Sequence, residues 1–461
     1  MPPTDREHDP VRPERGLRRP WLRSDRAVPR RVVRPLEQFL QLEAGSASLL
    51  FAAAVGALIW SNAAEGSYAD FWSTRLTLDA GPVEFDEDLR HIVNDLLMAL
   101  FFYVVALEVK REFLFGSLRD KASALVPVAA ALGTMVGGAV VYLAINIDGG
   151  EPRGWAVPIA TDIAFALGVL GLAGRRAPRE LRAFLLTLAV VDDLGTIAVI
   201  GLFYSDGISW PWIAAAAGIT LAIVLLRQLT VRFLAPYVGL AALLWWAVLE
   251  SGIHATIAGV VLGFLTPAVA LHSIHATRAA IADRVGESSG SLTDPEAGDG
   301  TMWDISRLAR EAVSPLTRME AQLHPWSAYV ILPIFALANA GVPISLEQLG
   351  DALTSQVGLG ILLGLVVGAP VGGILLAWAA VRWTPARMPE GLDWPALGGV
   401  APLKGIGFTV AIFISVLAFD TEALQEEAKL SILVASMIAG MIGLVALWAR
   451  HRVVTRRRPQ R

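Results

Sequence analysis

The spacing of its apolar runs constrains this chain more than any other feature. Twelve stretches, near 46–62, 92–114, 122–146, 155–174, 181–204, 210–226, 233–249, 251–267, 326–345, 356–381, 396–419 and 428–449, lie between charged or Pro/Gly-rich breaks. A bilayer core of about 30 Å is crossed by about 20 apolar residues in helical form. Inside that layer every backbone polar group must be satisfied within the protein, so the pattern predicts an all-α polytopic fold with about twelve transmembrane helices. With 54% hydrophobic and only 17% charged residues, the chain is too apolar for an ordinary soluble protein of its length.

Loop charge sets the orientation. Arg175, Arg176, Arg179 and Arg182 follow the fourth run, Arg227 and Arg232 the sixth, and Arg382 and Arg387 the tenth. The intervening connections are acidic: residues 63–91 hold seven acids and two Arg, and Asp420, Glu422, Glu426 and Glu427 follow the eleventh run. Residues 1–36 contain ten Arg against five acids, and residues 450–461 six Arg and no acid. Basic segments stay on the cytoplasmic side, so both termini of a multi-pass membrane protein are expected there. An Arg-rich tail can also be a nucleic-acid arm, but beside so many spans the topogenic reading prevails and no nucleic-acid partner is expected.

The expected organisation is a disordered basic extension over 1–36, a single membrane domain over 37–450 and a basic tail over 451–461. Within 63–91, Leu76 and Leu78 alternate with polar residues, Asp79-Ala-Gly-Pro82 turns, and Val83 and Phe85 alternate again. That pattern predicts a small periplasmic β-hairpin over 73–86. A hairpin alone is marginal in water, so pairing with a second copy in a homodimer is expected, an ordered loop being the plain alternative. The cytoplasmic loop 268–325 includes 284–301, polar and Gly/Ser-rich, which reads as a disordered insert. There is no cysteine, which excludes disulfides, thiol nucleophiles and thiolate metal sites.

Ionisable side chains at mid-membrane depth are costly, and each is a functional hypothesis by default. Asp192 and Asp193 fall half-way along the fifth run, Asp162 in the fourth after Pro158 and Thr161, and Lys404 in the eleventh before Gly405 and Gly407. Adjacent carboxylates in a low-dielectric site cannot both ionise cheaply, so such a site holds a proton until a cation displaces it. Hard oxygen ligands suit a small hard cation such as sodium or lithium. Competition of proton and cation for one site is the chemistry of exchange. Pro and Gly in mid-run predict broken helices, whose exposed half-helix ends need compensating charge. An acid at one break and Lys404 at the other would supply it, although Lys404 could instead snorkel to the cytoplasmic interface.

Several motifs together resemble the NhaA-type sodium/proton antiporters over about 36–450: Leu107-Glu-Val-Lys-Arg-Glu112, Ala160-Thr-Asp-Ile-Ala-Phe-Ala-Leu-Gly168, Asp192-Asp193-Leu-Gly195, Ser251-Gly-Ile-His-Ala-Thr256, Leu323-His-Pro-Trp326, Phe335-Ala-Leu-Ala-Asn-Ala-Gly341 and Gly405-Ile-Gly-Phe-Thr409. The resemblance implies inverted repeats over spans 3–5 and 10–12, each with a broken helix, the two crossing in mid-membrane. It implies that Asp192 and Asp193 bind sodium and exchange protons, and that Asp162 compensates helix-end charge. It further implies pH-regulated, electrogenic exchange driven by the proton-motive force, without a cofactor. Glu108, Arg111 and Glu112, with Arg318, Glu320 and His324, match the family's cytoplasmic pH-sensing cluster, and His254 matches a histidine linked with pH response; ordinary interfacial charges are the bland alternative.

One departure is chemical. Where the family's tenth span typically carries a lysine between Gly and Pro, this chain reads Gly368-Ala369-Pro370, and Lys404 stands where better-known members carry an uncharged residue. The expectation is that Lys404 makes the missing ion pair, with Asp193 or Asp162. Two other readings compete with the antiporter. A sodium-coupled carrier of an organic anion would need donors for the anionic group, and Lys404 is the lone mid-membrane candidate. An intramembrane aspartyl protease needs two acids facing each other from separate helices; neighbours on one helix point about 100° apart, and no Gly-x-Gly-Asp context is present.

Overall fold

The computed structural model describes residues 43–457, apart from 80–83, 174–178, 206, 232–233, 289–294 and 390. The extension 1–36, Arg175 and Arg176, Arg232 and the end of the tail lie outside the described residues. Eight helices are long and apolar enough to cross a membrane: Gly45–Ala63, Leu89–Phe115, Ala124–Asn146, Glu180–Phe203, Trp210–Gln228, Pro315–Asn339, Gln356–Trp383 and Glu422–Arg450. Two further pairs, Pro152–Ile159 with Ile163–Ala173 and Trp394–Gly405 with Phe408–Ala418, qualify as single spans bent by 40° and 45°. The chain is a predominantly helical, multi-pass membrane protein with eight to ten such spans among its described residues. Two shorter apolar helices, Leu234–Leu249 and Thr256–Leu265, pack on Trp210–Gln228 and on Leu89–Phe115.

Outside the spans, strands Arg75–Asp79 and Glu84–Asp88 pair antiparallel, with Leu78 opposite Phe85. The helix Glu65–Trp72 that precedes them is pinned by Tyr68, whose hydroxyl meets the carbonyls of Leu337 and Ala338 at 3.0 and 2.8 Å. Burial pushes that hydroxyl up to about 12, so it remains protonated across the physiological range.

The loop 268–325 differs from its sequence pattern. Ile274–Ser288 and Pro295–Glu311 are helices, so of the 284–301 stretch read as disordered, only 289–294 lies outside the described residues. Arg284 and Asp304, 2.6 Å apart, join the two helices across it, a local stabilisation that composition does not register. The ninth apolar run also begins earlier than expected: its helix starts at Pro315, where the Ser314 side chain accepts from the Thr317 N–H, and it ends at Asn339. A capped start lets a polar first turn continue an apolar helix beyond the membrane.

Spans three and ten meet backbone to backbone. A Cβ added to Gly137 would stand 2.1 Å from the Gly368 carbonyl oxygen, and one added to Gly372 would stand 2.2 Å from that of Gly133. This contact admits hydrogen alone at those positions, as small-residue stripes do between membrane helices. It holds Lys121–Asn146 and Gln356–Trp383 as one block beside the two broken spans.

Candidate functional site

The two broken spans cross at their breaks. Ala160–Asp162 and Ile406–Gly407 are unwound, and the Asp162 N–H donates to the Ile406 carbonyl at 2.7 Å. Four half-helix ends therefore converge, two amino-terminal and two carboxy-terminal, carrying partial charges of opposite sign. Glycine permits the approach: a Cβ on Gly405 would stand 2.4 Å from the Leu365 carbonyl oxygen, and one on Gly407 would stand 2.8 Å from Ala411 Cβ.

Asp162 answers the two amino ends. Its Oδ1 accepts from the Phe165 N–H at 2.9 Å, and its Oδ2 accepts from the Thr409 N–H at 3.2 Å and the Thr409 hydroxyl at 2.6 Å. One carboxylate thus caps both Ile163–Ala173 and Phe408–Ala418, and the Phe408 N–H finds Ser436 Oγ at 3.3 Å on the last span. Lys404 stands at the carboxy end of the opposite half-helix, buried, and its Nζ donates to Asp192 Oδ2.

That pairing corrects the sequence expectation, which gave Lys404 to Asp193 or Asp162. Asp162 is already engaged by the amino ends it caps, and Asp193 points about 100° away from its neighbour around the helix. Asp192 is also held by two hydroxyls, Thr134 at 3.2 Å on Oδ1 and Thr161 at 3.2 Å on Oδ2. Thr161 is in addition 3.1 Å from the Lys404 carbonyl oxygen. Both Asp192 oxygens are thus occupied, and the residue is 1% exposed. Asp193 is half-buried and has no hydrogen-bond or ion-pair partner among the described residues. Ala369, where a lysine was missing, is buried in the tenth span next to the glycine contact.

Of the group matched to a pH-sensing cluster, Arg111 and Glu320 meet at 2.8 Å, joining Leu89–Phe115 to Pro315–Asn339. Arg318 Nε and Glu320 Oε2 are buried without partners among the described residues. Glu108, half-buried on the same helix as Arg111, acts electrostatically on Asp193, and Glu108 and Glu112 act on Glu320. His324 is exposed on the same helix as Glu320. His254 lies apart from them, its ring edge-on to Phe413 of the second broken span at 6.2 Å.

Thr134, Thr409 and Ser436 belong to the site without having been singled out in the sequence. Thr409 closes the quoted Gly405–Thr409 motif and could have been read with it. Thr134 and Ser436 are lone hydroxyls in apolar runs, a weak signal on its own.

Comparison with known proteins identifies relatives of the chain. The family described as Na+/H+ antiporter 1 matches residues 37–447. A Na(+)/H(+) antiporter NhaA of Rhodopirellula baltica is 42% identical over 425 residues, 91% of this chain and 94% of the relative. Na(+)/H(+) antiporter NhaA 3 of Frankia alni is 42% identical over 98% of this chain and 93% of its own length, and the NhaA of Anaeromyxobacter sp. is 42% identical over 92% and 93%. Those names describe transporters and not enzymes. On a match that spans nearly the whole chain, the protein belongs to the Na+/H+ antiporter 1 family.

Proposed function

We propose that this chain is a secondary transporter of a bacterial inner membrane that exports Na+, and Li+, in exchange for protons entering down the proton-motive force. The observation that carries the reading is the unequal state of the two adjacent acids. Asp192 is saturated by Lys404, Thr134 and Thr161, whereas Asp193 offers a carboxylate with no protein partner among the described residues. A partnerless carboxylate beside open backbone at helix breaks suits a cation that sheds part of its hydration shell, or a proton in its place. In this reading Asp193 is the principal cation ligand and Asp192 the second, their cargo sodium. Asp162 and Lys404 compensate the half-helix ends, and Thr161, Gly405 and Gly407 let the two breaks cross.

Lys404 stands in for the lysine absent at Ala369. A second titratable pair beside Asp193 supports exchange of more than one proton per cation, hence electrogenic transport. The Arg111–Glu320 pair, with Glu108, Glu112, Arg318 and His324, supplies the cytoplasmic pH response, and His254 adjusts the second broken span through Phe413. Leu234–Leu249 and Thr256–Leu265 complete twelve spans in inverted repeats, with both termini cytoplasmic and a single antiporter domain over 37–450. Among the described residues the strand pair has open edges, which suits assembly with a second copy into a homodimer through 73–86. An organic-anion carrier is disfavoured because Lys404, the cation an anion would need, is already committed to Asp192.

Sodium-driven pH change in everted vesicles tests the assignment. The unmodified protein is expected to respond to sodium and lithium, and Asp193→Asn to lose that response. A silent wild type would remove the antiporter reading, and a responsive variant would move the cation site elsewhere.

A further inference from the structure

Between the short apolar helix Thr256–Leu265 and the span that starts at Pro315, the chain forms the helical pair Ile274–Ser288 and Pro295–Glu311. The base of the pair is stitched to those membrane helices. The Leu316 N–H donates to the Pro267 carbonyl at 3.0 Å, and the Leu271 N–H donates to the Glu311 carbonyl at 3.1 Å. Along the connection that enters the pair, Val269, Leu271 and Ile274 are 78%, 44% and 66% exposed, so apolar surface continues from the end of Thr256–Leu265 onto the pair. The second helix carries it further: Met302 is 53% and Trp303 71% exposed, on a face shared with the exposed Arg307 and Arg310. The acid within this stretch, Asp304, is taken up by Arg284 of the first helix. What remains outward is apolar and cationic.

We propose that this helical pair lies on the bilayer surface, with Met302 and Trp303 sunk into the headgroup layer and Arg307 and Arg310 on the phosphates of anionic lipid. A helix with aromatic and apolar side chains beside arginines lies in the plane of the interface. The indole ring settles at headgroup depth, the arginine stems lie along apolar surface, and the guanidinium groups match phosphate oxygens. Continuity with the end of a membrane helix favours the bilayer over a soluble protein as the occupant of this face. Because Pro295–Glu311 leads directly into the span that carries Glu320, lipid held here braces the start of that span. The inference goes beyond the transport reading and does not depend on which ion is carried.

The chain has no cysteine, so a single introduced one carries a fluorescent label alone. The test places Ala309→Cys, which leaves Trp303 and both arginines in position, in nanodiscs of phosphatidylcholine and phosphatidylglycerol with brominated acyl chains. Its label is expected to be quenched as strongly as one at Phe264→Cys, near the end of the preceding apolar helix. A label at Asp283→Cys, on the far side of the first helix from Ile274, is expected to stay bright. Most of the quenching at Ala309→Cys should be lost in phosphatidylcholine alone, and lost again when Arg307→Glu and Arg310→Glu are combined in the mixed discs. Should the Ala309 label disturb the helix, Ser306→Cys on the same face carries the same expectations. An unquenched label open to aqueous iodide overturns the proposal, and so does one shielded from iodide and brominated chains alike, because protein then covers the face. Quenching indifferent to lipid charge and to the arginines overturns it as well. Sodium-driven pH change in vesicles of the same protein reads the antiporter assignment separately.

Discussion

At the crossing of the two broken spans the charges of Asp162, Lys404 and Asp192 each meet a buried partner, whereas where Leu89–Phe115 meets the start of Pro315–Asn339 the charges are only half answered. Arg111 is 46% exposed where it meets Glu320, and Lys404 is 3% exposed where it meets Asp192. The difference is one of dielectric. A pair taken out of water holds when close geometry and further hydrogen bonds, here from Thr134 and Thr161 to Asp192, offset its desolvation, and breaking it strands a charge. A pair with one partner open to water, as Arg111 is beside the buried Glu320, is partly screened, so it can rearrange as protons come and go. The first region is built to keep its geometry, the second to give it up.

Three substitutions test that contrast, in descending order of effect. Lys404→Ala should cost most, about 3–5 kcal/mol of stability, because it leaves Asp192 buried without its cation. Thermal melting of the purified protein reads that loss, and exchange should fall with it; unchanged melting would place this pair with the screened ones. Asp162→Asn keeps the shape of the cap but removes the charge facing two helix amino ends, an effect of up to about 2 kcal/mol. It should lower the melting temperature less than Lys404→Ala, and a larger drop would make Asp162 the keystone. Arg111→Ala should cost less stability than Lys404→Ala, because water reaches the Arg111 side of the pair although Glu320 is buried, while displacing the pH profile of exchange. Melting as damaged as in Lys404→Ala, with an unmoved profile, would erase the distinction between the two regions.

How far the sequence carries depends on how local each feature is. Eight to ten of the twelve expected spans were legible, because a run of about 20 apolar residues needs no partner to be recognised, and the breaks because Pro158, Gly405 and Gly407 interrupt such runs. The partner of Lys404 was not legible. Which of three carboxylates it reaches depends on how two distant breaks cross, and Asp162 turned out to be occupied by backbone donors that no side-chain pattern announces. Thr134 escaped notice because, in an apolar run, threonine has nearly the shape of valine. The helices flanking 289–294 escaped because composition weighs Gly and Ser more heavily than a distant Arg284–Asp304 pair.

The single backbone bond from Asp162 N–H to the Ile406 carbonyl has a mechanical consequence. It joins two stretches that have no helical ladder of their own, one from each half of the chain. It ties the two breaks to each other directly, so that a shift of either half-helix end is felt at the other.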